Sequence, residues 1–298
     1  MSQAVPGHRP RKRFGQNFLV DPGIIQRLVD TIAPRPGDNL VEIGPGQGAL
    51  TEPLLAACPD LQAIELDRDL IPLLLARFDD YAGFRIHRCD ALTFDFSELV
   101  TAGPDRRALR IVGNLPYNIS TPLIFHLLSF GQYVRDMHFM LQKEVVARLC
   151  AQPGQKAYGR LGIMVQYHCQ VENLFPVPPQ SFRPAPKVDS AIVRLTPYAE
   201  PPVVAKDVGA LQRLVNTAFQ QRRKTLRNAL RSLLPVEVIE KLEIDTSIRP
   251  ENLTLPDFVR LSDSLAEHNP AAIPTPTHTT KHTTKHTTKH TTKLQRTQ

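Results

Sequence analysis

The sequence predicts a doubly wound α/β fold on two observations. Short apolar runs alternate with amphipathic stretches of about ten residues, and a glycine-rich turn directly follows the first of those runs. Strands joined through helices need crossover connections, so the sheet is expected to be mainly parallel and covered on both faces.

A first helix is expected from Asp21-Pro22, where Asp caps, Pro fits the first turn, and Ile24, Ile25, Leu28, Val29 and Ile32 follow at helical spacing. The period then changes. Asn39 to Gly44 reads as a buried strand, Ala49 to Ala57 as a helix, Leu61 to Leu66 as a strand and Arg68 to Phe78 as a helix. Phe84 to Asp90 and Leu109 to Asn114 continue the strands, and GNLPYNIS (Gly113 to Ser120) opens another helix. Met137 to Gln142, a helical stretch at Lys143 to Ala151, and Val188 to Leu195 complete the series, with an antiparallel member expected at the end and the sheet closing near Tyr198.

Four regions follow: a basic arm (1–20), the α/β domain (21–198), a helical domain (199–268) and a tail (269–298). The proline-rich Ala199 to Asp207 serves as the linker. Beyond it Leu211, Val215, Ala218, Leu226, Ala229 and Leu233 suggest one apolar stripe carried through a basic run, with Arg223, Arg227 and Arg231 four apart on another face. The tail holds four copies of HTTK with no apolar anchor and is expected to be disordered.

Composition narrows the class. The 298 residues are 42% hydrophobic and 22% charged, enough to bury a full core. No apolar run approaches the roughly 20 residues of a membrane span, and the N-terminus lacks a signal-peptide stretch, so a cytoplasmic protein without a membrane partner is expected. Cys58, Cys89, Cys150 and Cys169 show no ligand spacing and are expected as reduced core thiols. The net charge is +7, but Lys281, Lys285, Lys289, Lys293 and Arg296 in the tail are unbalanced by any acid. Only about +2 remains for the rest, so local patches carry the signal. Two stand out: the arm around Arg11, Lys12 and Arg13, and Gln220 to Arg231 with Arg222, Arg223, Lys224, Arg227 and Arg231.

VEIGPGQGAL places Gly44, Gly46 and Gly48 between a strand and a helix, where a ligand can approach backbone N–H groups closely. Glu65 ends the second strand about twenty residues later, suited to accept both hydroxyls of a ribose. Asp90 ends the third strand and Asn114 the fourth. In an open parallel sheet all four ends line one crevice. Alone, Asp90 could be a turn or helix-capping residue and Glu65 a solvated strand end, and Asp67 could equally cap the following helix, but the joint placement of Glu65 and Asp90 favours a cofactor site. A nicotinamide enzyme would use a similar loop; GPGQG lacks its GxGxxG spacing.

Asn114-Leu115-Pro116-Tyr117 suits an amine acceptor. The N6 of adenine is a poor nucleophile because its lone pair is conjugated with the ring, and attack on a sulfonium methyl requires that pair to be freed. The Asn114 side-chain oxygen and the Leu115 carbonyl can accept the N6 hydrogens, Pro116 stiffens the turn, and Tyr117 offers a face for stacking. Alignment and preplaced dipoles then suffice, without a strong base.

From Arg11 to His268 the chain resembles the bacterial small-subunit (16S) ribosomal RNA adenine N6-dimethyltransferase family. The likeness rests on RKRFGQNFL, VEIGPGQGALTEP, IELDRDL, GNLPYNISTPLIFHLL, DMHFMLQKEVV, KAYGRLG, FRPAPKVDSAIVRL and FQQRRKTLRNAL. The resemblance implies a Rossmann-like S-adenosylmethionine-dependent methyltransferase domain with a smaller helical domain. It implies contacts to S-adenosylmethionine from Asn17, Leu19, Gly44, Glu65, Asp90 and Asn114, with help from Gln16, and S-adenosylhomocysteine as product. It implies an extruded adenine held between Tyr117 and Phe182, the latter on a stiff exposed loop with Pro184 and Pro186. Four methyl groups would go to two adjacent adenines near the 3′ end of 16S rRNA in an immature 30S particle, with both basic patches tracking phosphates.

No metal is expected: His278, His282, His286 and His290 lie in threonine-rich sequence without rigid geometry. A monomer is expected. The alternatives are a 23S rRNA methyltransferase of the antibiotic-resistance type, which shares QNFL, and a noncatalytic assembly or transcription factor, against which the complete cofactor and acceptor sets argue. A small-molecule methyltransferase would not need two basic patches.

Overall fold

A computed structural model describes residues 17–100 and 108–268. The arm cations Arg11, Lys12 and Arg13, Gln16 and the HTTK tail lie outside the described residues.

The chain opens with β1 (Phe18–Leu19) and α1 (Pro22–Ile32), where Asp21 caps the helix by accepting from the N–H groups of Gly23 and Ile24. Then come β2 (Asn39–Ile43), α2 (Thr51–Ala57), β3 (Gln62–Glu65), α3 (Ile71–Arg77), β4 (Arg85–Arg88), β5 (Leu109–Asn114), α4 (Ser120–Leu128), β6 (Val134–Gln142), α5 (Lys143–Cys150), α6 (Arg160–His168), β7 (Cys169–Val177), β8 (Phe182–Arg183) and β9 (Ser190–Pro197). The last part holds α7 (Val208–Ala218), α8 (Leu226–Leu230), α9 (Val236–Lys241) and α10 (Leu255–His268).

Seven strands form one sheet in the order β4-β3-β2-β5-β6-β9-β7. The first five run parallel; β9 lies antiparallel to both β6 and β7. This is the Rossmann-like arrangement the sequence predicts; the antiparallel member, β9, is the last strand in the chain and sits one place in from the edge strand β7. From β2 the chain first winds outward to β3 and β4 and then returns to the other side at β5. The β2/β5 junction is therefore the topological switch point, where the loops after adjacent strands part and leave a crevice.

The sheet is buried on both faces. One core centres on Val41, Ile111, Leu123 and Phe139, another on Leu40, Leu54, Val112 and Ile192, so neighbouring residues of one strand feed opposite sides. A third core forms the C-terminal helical unit, and it draws on residues before the linker: Tyr158, Ile163, Met164 and Tyr167 pack with Leu211, Leu226, Ile239 and Phe258. The α6 helix thus belongs to both units, which ties the helical domain to the sheet by shared burial.

Candidate active site

At the switch point lies a cleft of about 310 Å³ bounded by the ends of β2, β3, β4 and β5 and by the segment entering β1. Asn17, Gly44, Glu65, Asp90 and Asn114 all line it, together with Leu115, Pro116 and Tyr117. The turn after β2 needs its glycines. Gly44 adopts a φ of +68° and a Cβ there would meet nothing within 4 Å, leaving open space on the cleft side. Gly48, at φ +83°, would place a Cβ 2.8 Å from the Phe78 ring.

Glu65 is buried, with Oε1 accepting from the Asp67 N–H at 2.7 Å and Oε2 from the Gly46 N–H at 3.4 Å. Burial holds its carboxyl above the ordinary range, a rise that the backbone N–H donors of Asp67 and Gly46 only partly offset. Asp90 at the end of β4 is half-buried and accepts from the Leu92 N–H at 2.9 Å, so it shapes its own turn as well as facing the cleft. Apolar walls come from Phe18, Ile64 and Leu66; Leu66 is 50% exposed, unusual for a leucine at the end of a buried strand. None of these three stood out in the sequence, although an apolar residue directly after the terminal Glu65 of a parallel strand was the available signal.

The acceptor turn is held from two sides. The Asn114 Nδ2 donates to the Asn17 carbonyl at 2.9 Å. A carbonyl can only accept, so this bond fixes which end of the amide is nitrogen and assigns the Oδ1 as the group left for an amine donor. The Leu115 side chain is buried in the core, its N–H donates to the Met140 carbonyl at 3.3 Å, and the Ile119 N–H donates to the Pro116 carbonyl at 3.1 Å. Leu115 can therefore serve the cleft only through its backbone. The Tyr117 hydroxyl shares a 2.9 Å hydrogen bond with Ser190 Oγ, which is buried at the start of β9. That serine closes the FRPAPKVDS motif, so one motif holds the other's aromatic ring.

The ribosomal RNA adenine dimethylase family model matches residues 7–267. The chain belongs to that family. A ribosomal RNA small subunit methyltransferase A from Saccharophagus degradans is 63% identical over 261 residues, 88% of this chain and 96% of that protein. One of the same name from Pseudomonas aeruginosa is 62% identical over 260 residues, covering 87% and 96%. Among solved structures, a dimethyladenosine transferase from Plasmodium falciparum superposes with a TM-score of 0.71 at 28% identity, covering 85% of this chain and 97% of that one. The 23S rRNA methyltransferase ErmE gives 0.66 at 24% identity, covering 84% and 99%, a likeness of fold.

A dimethylase of this family takes its methyl groups from S-adenosylmethionine, and the cleft's chemistry fits that donor. A buried carboxylate suits hydroxyls, the open glycine turn suits a close-packed polar group, and the apolar walls suit a purine face. Among the described residues no cluster of three His, Cys, Asp or Glu is placed to hold a metal ion, and no helix is long and apolar enough to cross a membrane.

Two residues expected in the dimethylase's site lie elsewhere. Leu19 and Phe182 are both buried in the core and face each other where β1 pairs antiparallel with β8. Phe182 is only 1% exposed, so its ring packs against protein and presents no face to a base; the expectation of an exposed loop aromatic is corrected. The prolines around it gave the wrong signal, because the short β8 strand carries Phe182 inward before they begin. Leu19 likewise turns inward, and Phe18 lines the cleft in its place. The pairing is reinforced by Val20 N–H to the Ser181 carbonyl at 2.9 Å and by Ser181 Oγ to Asp21 Oδ2 at 2.9 Å.

The basic run of the dimethylase also departs from expectation. It does not continue one helix: α7 stops at Ala218, residues 219–224 form turns and a bend, and α8 begins at Leu226. The break is explained by where the first N–H groups of α8 go, Leu226 to the Ile248 carbonyl and Arg227 to the Thr246 carbonyl. Arg223, Lys224, Arg227 and Arg231 are exposed. Arg222 is instead engaged: its Nη2 donates to the Lys156 carbonyl at 2.8 Å and the Tyr158 carbonyl at 3.2 Å, and lies 3.5 Å from Glu251. It holds the loop between α5 and α6 against the helical unit.

Proposed function

We propose that this chain transfers methyl groups from S-adenosylmethionine to the N6 of two adjacent adenines near the 3′ end of 16S rRNA, two to each, within an immature 30S particle. S-adenosylhomocysteine is the product, and the protein acts as a cytoplasmic monomer without a metal ion. The observation that carries this reading is the Asn114 amide, oriented by the Asn17 carbonyl at the mouth of a cofactor-sized cleft.

When bound, S-adenosylmethionine supplies an electrophilic sulfonium methyl. The protein's part is to present the amine. For the first transfer Asn114 Oδ1 and the Leu115 carbonyl accept the two N6 hydrogens, and for the second one of them accepts the hydrogen that remains. These dipoles, in place before reaction, turn the nitrogen lone pair out of conjugation, and each transfer ends with the methylated nitrogen giving up one proton to solvent. Tyr117, pinned by Ser190, stacks on a base drawn out of the RNA. Gly44, Glu65 and Asp90 hold the donor in register, Asn17 contributes beside them, and Leu19 acts through the backbone that places Asn17 and Phe18. Arg223, Lys224, Arg227 and Arg231, with Arg11, Lys12 and Arg13 of the arm, follow the phosphate backbone, and the tail's five cations add unspecific affinity.

The reading is tested by offering labelled S-adenosylmethionine with undermethylated 30S particles, 50S particles and naked rRNA, and mapping the product. Labelled dimethyladenine in 16S rRNA, strongest with 30S particles, is expected. Label confined to 23S rRNA would place the chain with the antibiotic-resistance enzymes; label on another atom would reject the acceptor assignment.

A further inference from the structure

Beneath the glycine turn sits a carboxyl group that the chemistry above leaves unused. Glu42 on β2 is 2% exposed, flanked across the sheet by Ala63 of β3 and Val112 of β5. Its Oε2 accepts from the Thr51 hydroxyl at 2.7 Å, and Thr51 is the fully buried first residue of α2. The glycine turn runs between these two residues, so their bond closes it at the base. Its tip is held by Glu65 through the Gly46 N–H. One turn is thus braced by two buried carboxyl groups, and among the described residues neither forms an ion pair.

The charge that acts on Glu42 is negative: it comes from Glu65, which lines the cleft together with Asp67 and Asp90. Arg110 on β5 is committed to Asp38 and Asp136, and Glu52 of α2 is exposed and paired with Arg77. Two neighbouring carboxyls resist ionising together. Burial and the Glu65 charge push the Glu42 carboxyl up to about 7, so it changes charge near neutral pH.

Methyl transfer removes one positive charge from such a cleft, because donor and product share every ionisable group and differ in a sulfonium against a thioether. We propose that Glu42 is a positioning residue that senses this difference: its ionised form favours S-adenosylmethionine over S-adenosylhomocysteine, whereas its neutral form does not discriminate by charge. The inference rests on the cleft being the S-adenosylmethionine site. A buried carboxylate in a weakly screened interior responds to a charge on the other side of one loop. By linkage, donor binding then favours loss of the Glu42 proton, and the neutral product lets it return. An enzyme that must exchange product for donor several times on one substrate gains from that bias.

The test is calorimetric titration of both ligands into the full-length protein from about pH 5.5 to about pH 8.5, using wild type, Glu42→Gln and Thr51→Val. In wild type the ratio of product Kd to donor Kd should rise on the order of fivefold across neutral pH. Glu42→Gln should lack that rise. Thr51→Val removes the hydrogen bond that lowers the Glu42 pKa and should move the rise to higher pH, a readout independent of whether the glutamine variant folds. Titrations belonging to the ligands are common to all three proteins and cancel. A Glu42→Gln ratio that tracks wild type, or an unmoved Thr51→Val midpoint, overturns the inference. Failure of wild type to bind either ligand at any pH would instead overturn the cofactor reading, and the inference with it.

Discussion

In the cleft, Glu65, Asn114 and Tyr117 are each tied to a different element, whereas Arg223, Lys224, Arg227 and Arg231 stand exposed on the helical unit. The two regions meet different demands. Groups that act on a reacting atom gain most when their orientation is fixed beforehand, since no reorganisation is then needed during reaction. Cations that follow a polyanion act through long-range, salt-screened attraction and tolerate side-chain freedom. The polar groups of the cleft should therefore be sensitive to small changes in geometry, and those of the basic face to changes in charge.

Leu19, Phe182 and Arg222 are the expected site residues that the structure engages elsewhere, and Phe182 gives the largest effect. As a core residue, Phe182→Ala should cost about 3–5 kcal/mol of stability, read by chemical denaturation, and Phe182→Leu should restore most of it along with methyl transfer. A stable Phe182→Ala protein that had lost transfer would return this ring to the target base and break the comparison. Next, Asn114→Ala should lower kcat by about a hundredfold to a thousandfold while particle binding, measured by sedimentation, stays near wild type. Equal losses of binding and turnover would mean that Asn114 mainly secures the Asn17 segment. Glu65→Ala should weaken donor affinity by about tenfold to a hundredfold; an unchanged titration would remove it from the cofactor site.

The parallel sheet and the crevice were legible because buried strands, glycines and strand-end acids follow from local pattern. Asn39–Ile43 and Leu109–Asn114 emerge within a residue of where the sequence places them. The β7 strand was not legible: Cys169–Val177 mixes Glu172, Asn173 and Pro176 into its run, a composition tolerated because β7 is the sheet edge. Contacts far apart in sequence were hidden as well. Nothing local marks Ser190 as the partner of Tyr117, 73 residues earlier, or directs Arg222 to the carbonyls of Lys156 and Tyr158. The apolar stripe through Arg223 had the right period, yet the chain breaks it because residues 246–248 take the N–H groups of a new helix.

Arg222 and Arg223 sharpen the comparison between neighbours. Arg222→Ala should lower stability by roughly 1 kcal/mol, discounted for its half-exposed side chain, and leave the salt dependence of RNA binding unchanged. Arg223→Ala should leave stability alone and reduce the slope of log K against log salt by about one. Identical behaviour of the two variants would show that the Arg222 bonds to the 156–158 loop give way to RNA.

The smallest effect tests the hydrogen bond that joins the two motifs. Ser190→Ala leaves the Tyr117 ring in its turn, where the Ile119 N–H to Pro116 carbonyl bond still constrains the backbone, and removes only the restraint on the hydroxyl. One such bond contributes about 1 kcal/mol, so kcat should fall about fivefold with KM for the particle nearly unchanged. Tyr117→Phe removes the same bond from the other side while keeping the stacking face, and its loss should match. Because both variants delete a single interaction, the double variant should be no slower than either alone. Additive losses would mean that the hydroxyl and the serine act separately, and that the ring is oriented by its turn rather than by β9.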